Sequence, residues 1–294
     1  MLFDERFEAA RFRTKDGTEI HLRHAGQGPP LLFLHGYPQT HAMWHKVAPA
    51  FCDSFHVVCA DLRGYGDSSK PAGSADHASY AKRTMAADMI EVMQQLGFGQ
   101  FAVAGHDRGG RVGHRMALDH PERVSKLCVM DIAPTLHMYE QTDQRFATGY
   151  YHWFFLIQPD GLPERLIGAD PDYFLDYTLG HWSARRNAFD PEAVAEYRRC
   201  FRDPRTIHAS CEDYRAAATI DLEHDRDSID QTIECPLLVL WGQHGFVNRL
   251  YDVIEAWRPR ARALEGKAID SGHFLPEEAP GDVMAALLEF LERP

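Results

Sequence analysis

No uninterrupted apolar run in these 294 residues reaches the roughly 18 that a membrane-spanning helix requires. The first residues, Met1-Leu2-Phe3-Asp4-Glu5-Arg6, show no basic segment leading into an apolar one. The expectation is a soluble, untargeted, cytoplasmic protein with no membrane partner. Blocks of like charge are missing too: 43 Asp and Glu stand against 31 Lys and Arg, a formal net charge of −12 spread along the chain, so nucleic acid is excluded as an expected partner. An anionic small molecule would be opposed by this global field and would need local positive charge to hold it. The six cysteines (Cys52, Cys59, Cys128, Cys200, Cys211 and Cys235) lack Cys-x-x-Cys spacing, and several sit in apolar runs. Reduced, mostly buried thiols are expected rather than disulfides or zinc ligands, and no metal or cofactor is called for. With 17 histidines present, a lone histidine means little. Internal repeats and low-complexity segments are absent as well, and a chain of this length can bury about three quarters of its unfolded surface.

The apolar residues that are present fall into a rhythm. Residues 9 to 24 alternate apolar and polar around Asp16-Gly17, which predicts an edge hairpin. Pro30-Leu31-Leu32-Phe33-Leu34-His35 and His56-Val57-Val58-Cys59-Ala60-Asp61 are continuous apolar runs, the pattern of strands buried on both faces. Each ends in a glycine-containing loop, His35-Gly36-Tyr37-Pro38 and Arg63-Gly64-Tyr65-Gly66. From Ser79 to Leu96 helical spacing takes over, with Gly97 as its stop. Another strand leads to Gly105, a helix follows, and Val124 to Asp131 makes a further strand. Strands alternating with helices predict a mostly parallel sheet with helices on both faces, whose carboxyl-end loops carry the chemistry. Between Pro134 and about Arg226 the rhythm gives way to dense aromatics and Asp-Pro dipeptides, which predicts a helical insertion. Strands then resume at Pro236–Trp241 and near 263–269, with a closing helix from about Glu277. The organisation expected is a core of residues 1–133 and 227–294 carrying a helical cap of residues 134–226.

The stretch Gly105-His106-Asp107-Arg108-Gly109-Gly110-Arg111 lies where a strand turns into a helix. Its Gly-x-Asp-x-Gly spacing is that of a nucleophile elbow, with a carboxylate where serine usually stands. Serine attacking a saturated carbon would leave an ether that water does not cleave. A carboxylate leaves an ester that water can cleave, restoring the enzyme, so Asp107 points to dehalogenation or epoxide opening. The plainer alternative, Asp107 as a helix N-cap, leaves the bracketing glycines unexplained. Ester hydrolysis needs a base, and Ser271-Gly272-His273-Phe274 follows the last strand, where a loop returns to the sheet edge. His273 in turn needs an orienting carboxylate. The loop Gly242-Gln243-His244-Gly245-Phe246-Val247 contains no acid, whereas Asp131 ends the strand after the elbow, and Asp270 is the weaker candidate. Charge developing on Asp107 during hydrolysis calls for N–H donors, expected from the backbone of Arg108 and of Tyr37.

Several of these segments, with Tyr37-Pro38-Gln39-Thr40-His41, Tyr151-His152-Trp153 and Cys211-Glu212-Asp213-Tyr214-Arg215-Ala216, resemble the α/β-hydrolase superfamily and, within it, the haloacetate (fluoroacetate) dehalogenases. The resemblance implies an α/β-hydrolase fold: a mostly parallel eight-stranded sheet flanked by helices, with a helical cap inserted after strand 6. It also implies Asp107, Asp131 and His273 as the triad, Arg108 and Arg111 as holders of the substrate carboxylate, and His152, Trp153 and Tyr214 as the halide site. A small haloacid is the implied substrate, glycolate and halide the products, and a homodimer the implied assembly. Arg108 and Arg111 oppose the dipole at a helix start, which suits an anion site better than helix stability. His152, Trp153 and Tyr214 all offer N–H or O–H donors to a departing halide. An epoxide hydrolase would share the Asp elbow and could use Tyr214 as its acid, but a neutral epoxide does not call for two arginines. A ligand-binding protein on a retired hydrolase scaffold is the reading from another class; it leaves the nucleophile, base and acid without a use.

Overall fold

The computed structural model describes residues 2–185 and 187–293. Eight strands occur among them: β1 (Glu8–Arg13), β2 (Glu19–Ala25), β3 (Pro30–Leu34), β4 (His56–Ala60), β5 (Phe101–His106), β6 (Val124–Met130), β7 (Leu237–Gly242) and β8 (Leu264–Ile269). They form one sheet in the order β1-β2-β4-β3-β5-β6-β7-β8. The hairpin β1–β2 is antiparallel and meets β4 antiparallel; all later pairings are parallel. Burial of every residue of β5, and of Leu31 to Leu34 in β3, accounts for the unbroken apolar runs, since helices cover both faces of the sheet's centre.

Helices α1 (Lys82–Gln95) and α2 (Arg108–Asp119) flank the sheet. The helix expected from Ser79 starts later because Ala81 is extended (φ −61°, ψ 147°), and Asp221 accepts the Lys82 N–H at 2.8 Å in place of a local cap. Between β6 and β7 the described residues form only helices: α3 (Thr135–Glu140), α4 (Gln144–Gly149), α5 (Tyr151–Phe155), α6 (Leu162–Ala169), α7 (Pro171–Trp182), α8 (Pro191–Phe201), α9 (Pro204–Ala218) and α10 (Ile220–Asp227). Asp143, Asp170, Asp190 and Asp203 cap α4, α7, α8 and α9 by accepting a backbone N–H, and in the last three proline follows in the first turn. The repeated Asp-Pro dipeptides are thus helix starts. After β7 come α11 (Phe246–Leu250) and α12 (Val253–Trp257), and after β8 α13 (Leu275–Glu278) and α14 (Pro280–Glu292). The single closing helix expected from Glu277 is two, because Ala279 leaves the helical region and Pro280 begins a new first turn.

All six cysteines are free, and Cys235 alone is not fully buried. No described helix is long and apolar enough to cross a membrane. Just past β4, the buried carboxylate of Asp61 accepts from Nδ1 of His21 (3.0 Å) and of His41 (2.9 Å), and from the backbone N–H of His41 (2.8 Å) and Asp67 (2.9 Å). This hub fixes the far end of the loop after β3, which carries Tyr37 to the carboxyl edge of the sheet.

Candidate active site

At that edge β5 turns into α2 through Asp107, whose φ of 47° and ψ of −113° are far from the usual regions for a residue with a side chain. The turn is possible because its neighbours are glycines in contact with backbone. A Cβ on Gly105 would lie 2.5 Å from the Gly109 oxygen, and one on Gly109 would lie 2.4 Å from the Leu34 oxygen. Bonds from Asp107 N–H to the Met130 carbonyl (3.1 Å) and from Gly109 N–H to the His35 carbonyl (2.9 Å) lock the bend between β6 and the loop after β3.

Asp107 Oδ1 accepts the Tyr37 backbone N–H at 3.0 Å; one oxygen is held, and the other, Oδ2, has no hydrogen-bond partner among the described residues. Burial pushes this carboxyl up, but His273, Arg108 and Arg111 outweigh it and bring its pKa down to about 2. The Asp107 carboxylate is ionised. The Arg108 backbone N–H lies next in the chain, at the first position of α2.

His273 Nδ1 meets Asp131 Oδ2 at 2.7 Å, and Asp131 Oδ1 accepts the Gly242 N–H at 2.9 Å. Asp131, like Asp107, sits at positive φ (53°), at the end of β6. The competing acid, Asp270, is exposed and bridges His244 (2.8 Å) and Arg185 (2.7 Å), away from His273. His273 Nε2 is buried without a partner, as expected of a ring nitrogen kept for a reacting molecule. Burial pushes the imidazolium down, but the hydrogen bond and charge of Asp131, with Asp107, carry its pKa above the ordinary histidine value.

Three residues at this site went unassigned in the sequence reading. Glu278, buried, accepts the N–H groups of Gly272 (2.9 Å) and Phe274 (3.0 Å) on either side of His273, and that of Ala184 (2.8 Å). Trp182 supplies the carbonyl that receives the His273 N–H at 2.9 Å, and its ring lies 4.4 Å from that of His152. Asp213 receives Arg108 Nε at 2.9 Å and Nη2 at 2.6 Å, the Tyr65 hydroxyl at 2.7 Å, and Lys82. Of the three, only Asp213 carried a local signal, since it precedes Tyr214.

The two arginines differ. Arg108 is fully buried, paired to Asp213, and 4.2 Å over the Tyr214 ring, with Nη1 alone unpartnered. It presents the single Nη1 amino group to the site rather than a two-toothed fork. Arg111 donates to the Ala133 carbonyl (3.1 Å), Thr135 Oγ1 (2.8 Å) and Met138 Sδ (3.2 Å), and its guanidinium lies 4.8 Å from the Trp153 ring. No carboxylate pairs with it among the described residues, and Nε is unpartnered. Burial, followed by the charge of Arg108, lowers its pKa. A buried cation in this state is stabilised when an anion arrives.

Above them stand His152, Trp153 and Tyr214, all buried, with ring centroids 5.6 Å apart for His152 and Tyr214 and 6.4 Å apart for Trp153 and Tyr214. The Tyr214 hydroxyl and His152 Nδ1 are buried and unpartnered. Burial drives the His152 pKa well down and that of Tyr214 well up, so both stay neutral and can donate.

Residues 29–280 match the family described as alpha/beta hydrolase fold. The chain is 49% identical over 267 residues to a fluoroacetate dehalogenase from Burkholderia sp., covering 90% of this chain and 88% of that protein. It is 34% identical over 279 residues to a soluble epoxide hydrolase from Corynebacterium sp. (strain C12), covering 94% of each. A crystal structure assigned to the α/β hydrolases, from Nostoc sp PCC 7120, superposes with a TM-score of 0.98 at 57% identity over the full length of both chains.

Proposed function

The chain belongs to the α/β-hydrolase family, and on that premise we propose that it hydrolyses haloacetates to glycolate and halide through an ester on Asp107. The observation that carries this reading is Arg111, a buried guanidinium with no carboxylate partner among the described residues, beside the ionised Asp107 carboxylate. A haloacetate carboxylate would complete the pair and hold the carbon–halogen bond against Asp107. Arg108 Nη1 would add one donor to the same carboxylate.

In the first step Asp107 Oδ2 attacks the carbon bearing the halogen, and the halide leaves with the bonding pair. His152, Trp153 and Tyr214 donate to it as its charge appears; fluoride, a poor leaving group, needs this most. In the second step His273 takes a proton from water, whose oxygen attacks Asp107 Cγ. The resulting negative charge rests on Oδ1, facing the Tyr37 N–H and the Arg108 backbone N–H. Collapse breaks the bond from Cγ to Oδ2, the glycolate oxygen takes the proton back from His273, and the new carboxylic acid of Asp107, with its pKa of about 2, gives its remaining proton to solvent, which restores the carboxylate. Neither metal nor organic cofactor enters this scheme.

Residues 134–226 act as the cap that supplies the halide donors. Cytoplasmic action fits the free, mostly buried thiols, and a homodimer fits the exposed Leu166 and Tyr173 on α6 and α7.

The epoxide-opening reading keeps one observation in its favour: the unpartnered Tyr214 hydroxyl could protonate an epoxide oxygen. A panel of fluoroacetate, chloroacetate, a styrene-type epoxide and an aryl ester separates the two, with release of halide, diol and acid measured in parallel. Halide from the haloacetates is expected; diol without halide would transfer the proposal to epoxides. Arg111→Leu is expected to lower haloacetate kcat/KM by about 100-fold, the scale of one strong charge-assisted contact made at the reacting molecule. An unchanged value would remove Arg111 from the carboxylate site.

A further inference from the structure

A cavity of about 160 Å³ reaches His273, and neither arginine lines it. His273, Trp182, Tyr150, Phe246, His244 and Arg249 line it, and Asp107, Arg108, Arg111, His152 and Tyr214 do not. Its outer end carries exposed His244 and Arg249, its inner end the buried His273 ring. Given the covalent mechanism above, on which this rests, we propose that the cavity supplies the hydrolytic water, and that Phe246, seated on Gly149, sets its bore.

The argument begins with what the ester does to its own compartment. Once Asp107 is alkylated, the carboxymethyl group and its carboxylate fill the space between Asp107 and the arginines, so water has to arrive from elsewhere. His273 Nδ1 is committed to Asp131. Its Nε2 is the ring nitrogen left for a water, and the His273 ring lines this cavity. That volume is ample for several waters, and the His244 ring and the Arg249 guanidinium give them polar partners along the way.

Phe246 narrows the wall. Its ring lies against Gly149, the last residue of α4, and edge-on to Tyr150 at 4.9 Å between centroids. A Cβ on Gly149 would fall 1.8 Å from Phe246 Cζ. Glycine at 149 is therefore what gives the ring its seat beside the wall. With alanine there the ring has to leave that seat, and the cavity it lines is the space beside it.

The test follows the Asp107 ester by mass spectrometry of the intact full-length chain after a single turnover with bromoacetate. In Gly149→Ala, formation of the ester is expected to stay within about twofold of the parent rate, and its decay to slow about tenfold. The double variant Gly149→Ala, Phe246→Ala removes the displaced ring and is expected to restore decay, which a general loss of structure would not allow. Phe246→Trp, a bulkier ring on the same wall with Gly149 kept, should also slow decay. Unchanged decay in Gly149→Ala and Phe246→Trp overturns the proposal. Slowed formation with normal decay also overturns it, making the cavity the route of the haloacetate. Absence of any ester in the parent protein sinks the covalent mechanism itself, and this inference with it.

Discussion

Asp107→Ala is expected to lower haloacetate kcat/KM by roughly 10⁴-fold or more, the scale seen when a covalent nucleophile is deleted. No neighbouring carboxylate can stand in. Asp131 is committed to His273 and the Gly242 N–H, and Asp213 to Arg108, Tyr65 and Lys82. The fold should survive, because among the described residues the Asp107 side chain makes a single hydrogen bond, from Tyr37, and the elbow is held by backbone bonds that alanine keeps. A melting curve and a circular dichroism spectrum close to those of the parent would separate lost chemistry from lost structure. Loss of rate alone does not distinguish a nucleophile from a carboxylate that merely activates water. Isotope placement does: in a single turnover in ¹⁸O water, attack on the ester puts the label into Asp107 and leaves the first glycolate unlabelled. Label found only in that first glycolate would assign the attack on carbon to water and overturn the covalent step.

The parts of this site legible in the sequence are those whose requirements are local. The elbow could be read because a residue at positive φ between a strand and a helix needs small neighbours, and Gly105 and Gly109 announce that need within five positions. His273 was legible from chain order, as the histidine after the last strand. Asp131 emerged by exclusion, and its distance to His273 adds the geometry that exclusion lacks. What stayed hidden depends on packing between distant segments. The Arg108–Asp213 pair spans 105 positions and changes what Arg108 offers, from a fork to the single Nη1 amino group. Glu278 serves the loop around His273 through backbone N–H groups that carry no residue signature. The break at Ala81 is similar, since the cap on Lys82 comes from Asp221 in a different helix. The alternation of strands and helices survived because burial on both faces at the centre of the sheet writes itself into its central strands, such as β3 and β5.

His273→Gln is expected to stop turnover at the ester, leaving Asp107 heavier by about 58 Da, the carboxymethyl group, after incubation with a haloacetate. The first step does not need His273 as a base, because Asp107, with its pKa near 2, is already ionised. The second step does, and glutamine has no basic nitrogen to take the water's proton. In the parent enzyme the same division should appear as a function of pH. In the free enzyme the His273 pKa lies above the ordinary histidine value, and the negative charge of Asp107 contributes to that. Alkylation neutralises Asp107, removes that contribution, and lets the imidazole release its proton at the stage where a base is required. Ester decay in the parent should therefore rise with pH through the pKa that His273 has in the ester, which lies below its value in the free enzyme. Ester formation should stay flat over the same range. Quenched-flow mass spectrometry from pH 5 to 9 reads both rates in one experiment. Decay that is independent of pH, or a His273→Gln chain that never gains mass, would remove His273 from the role of base.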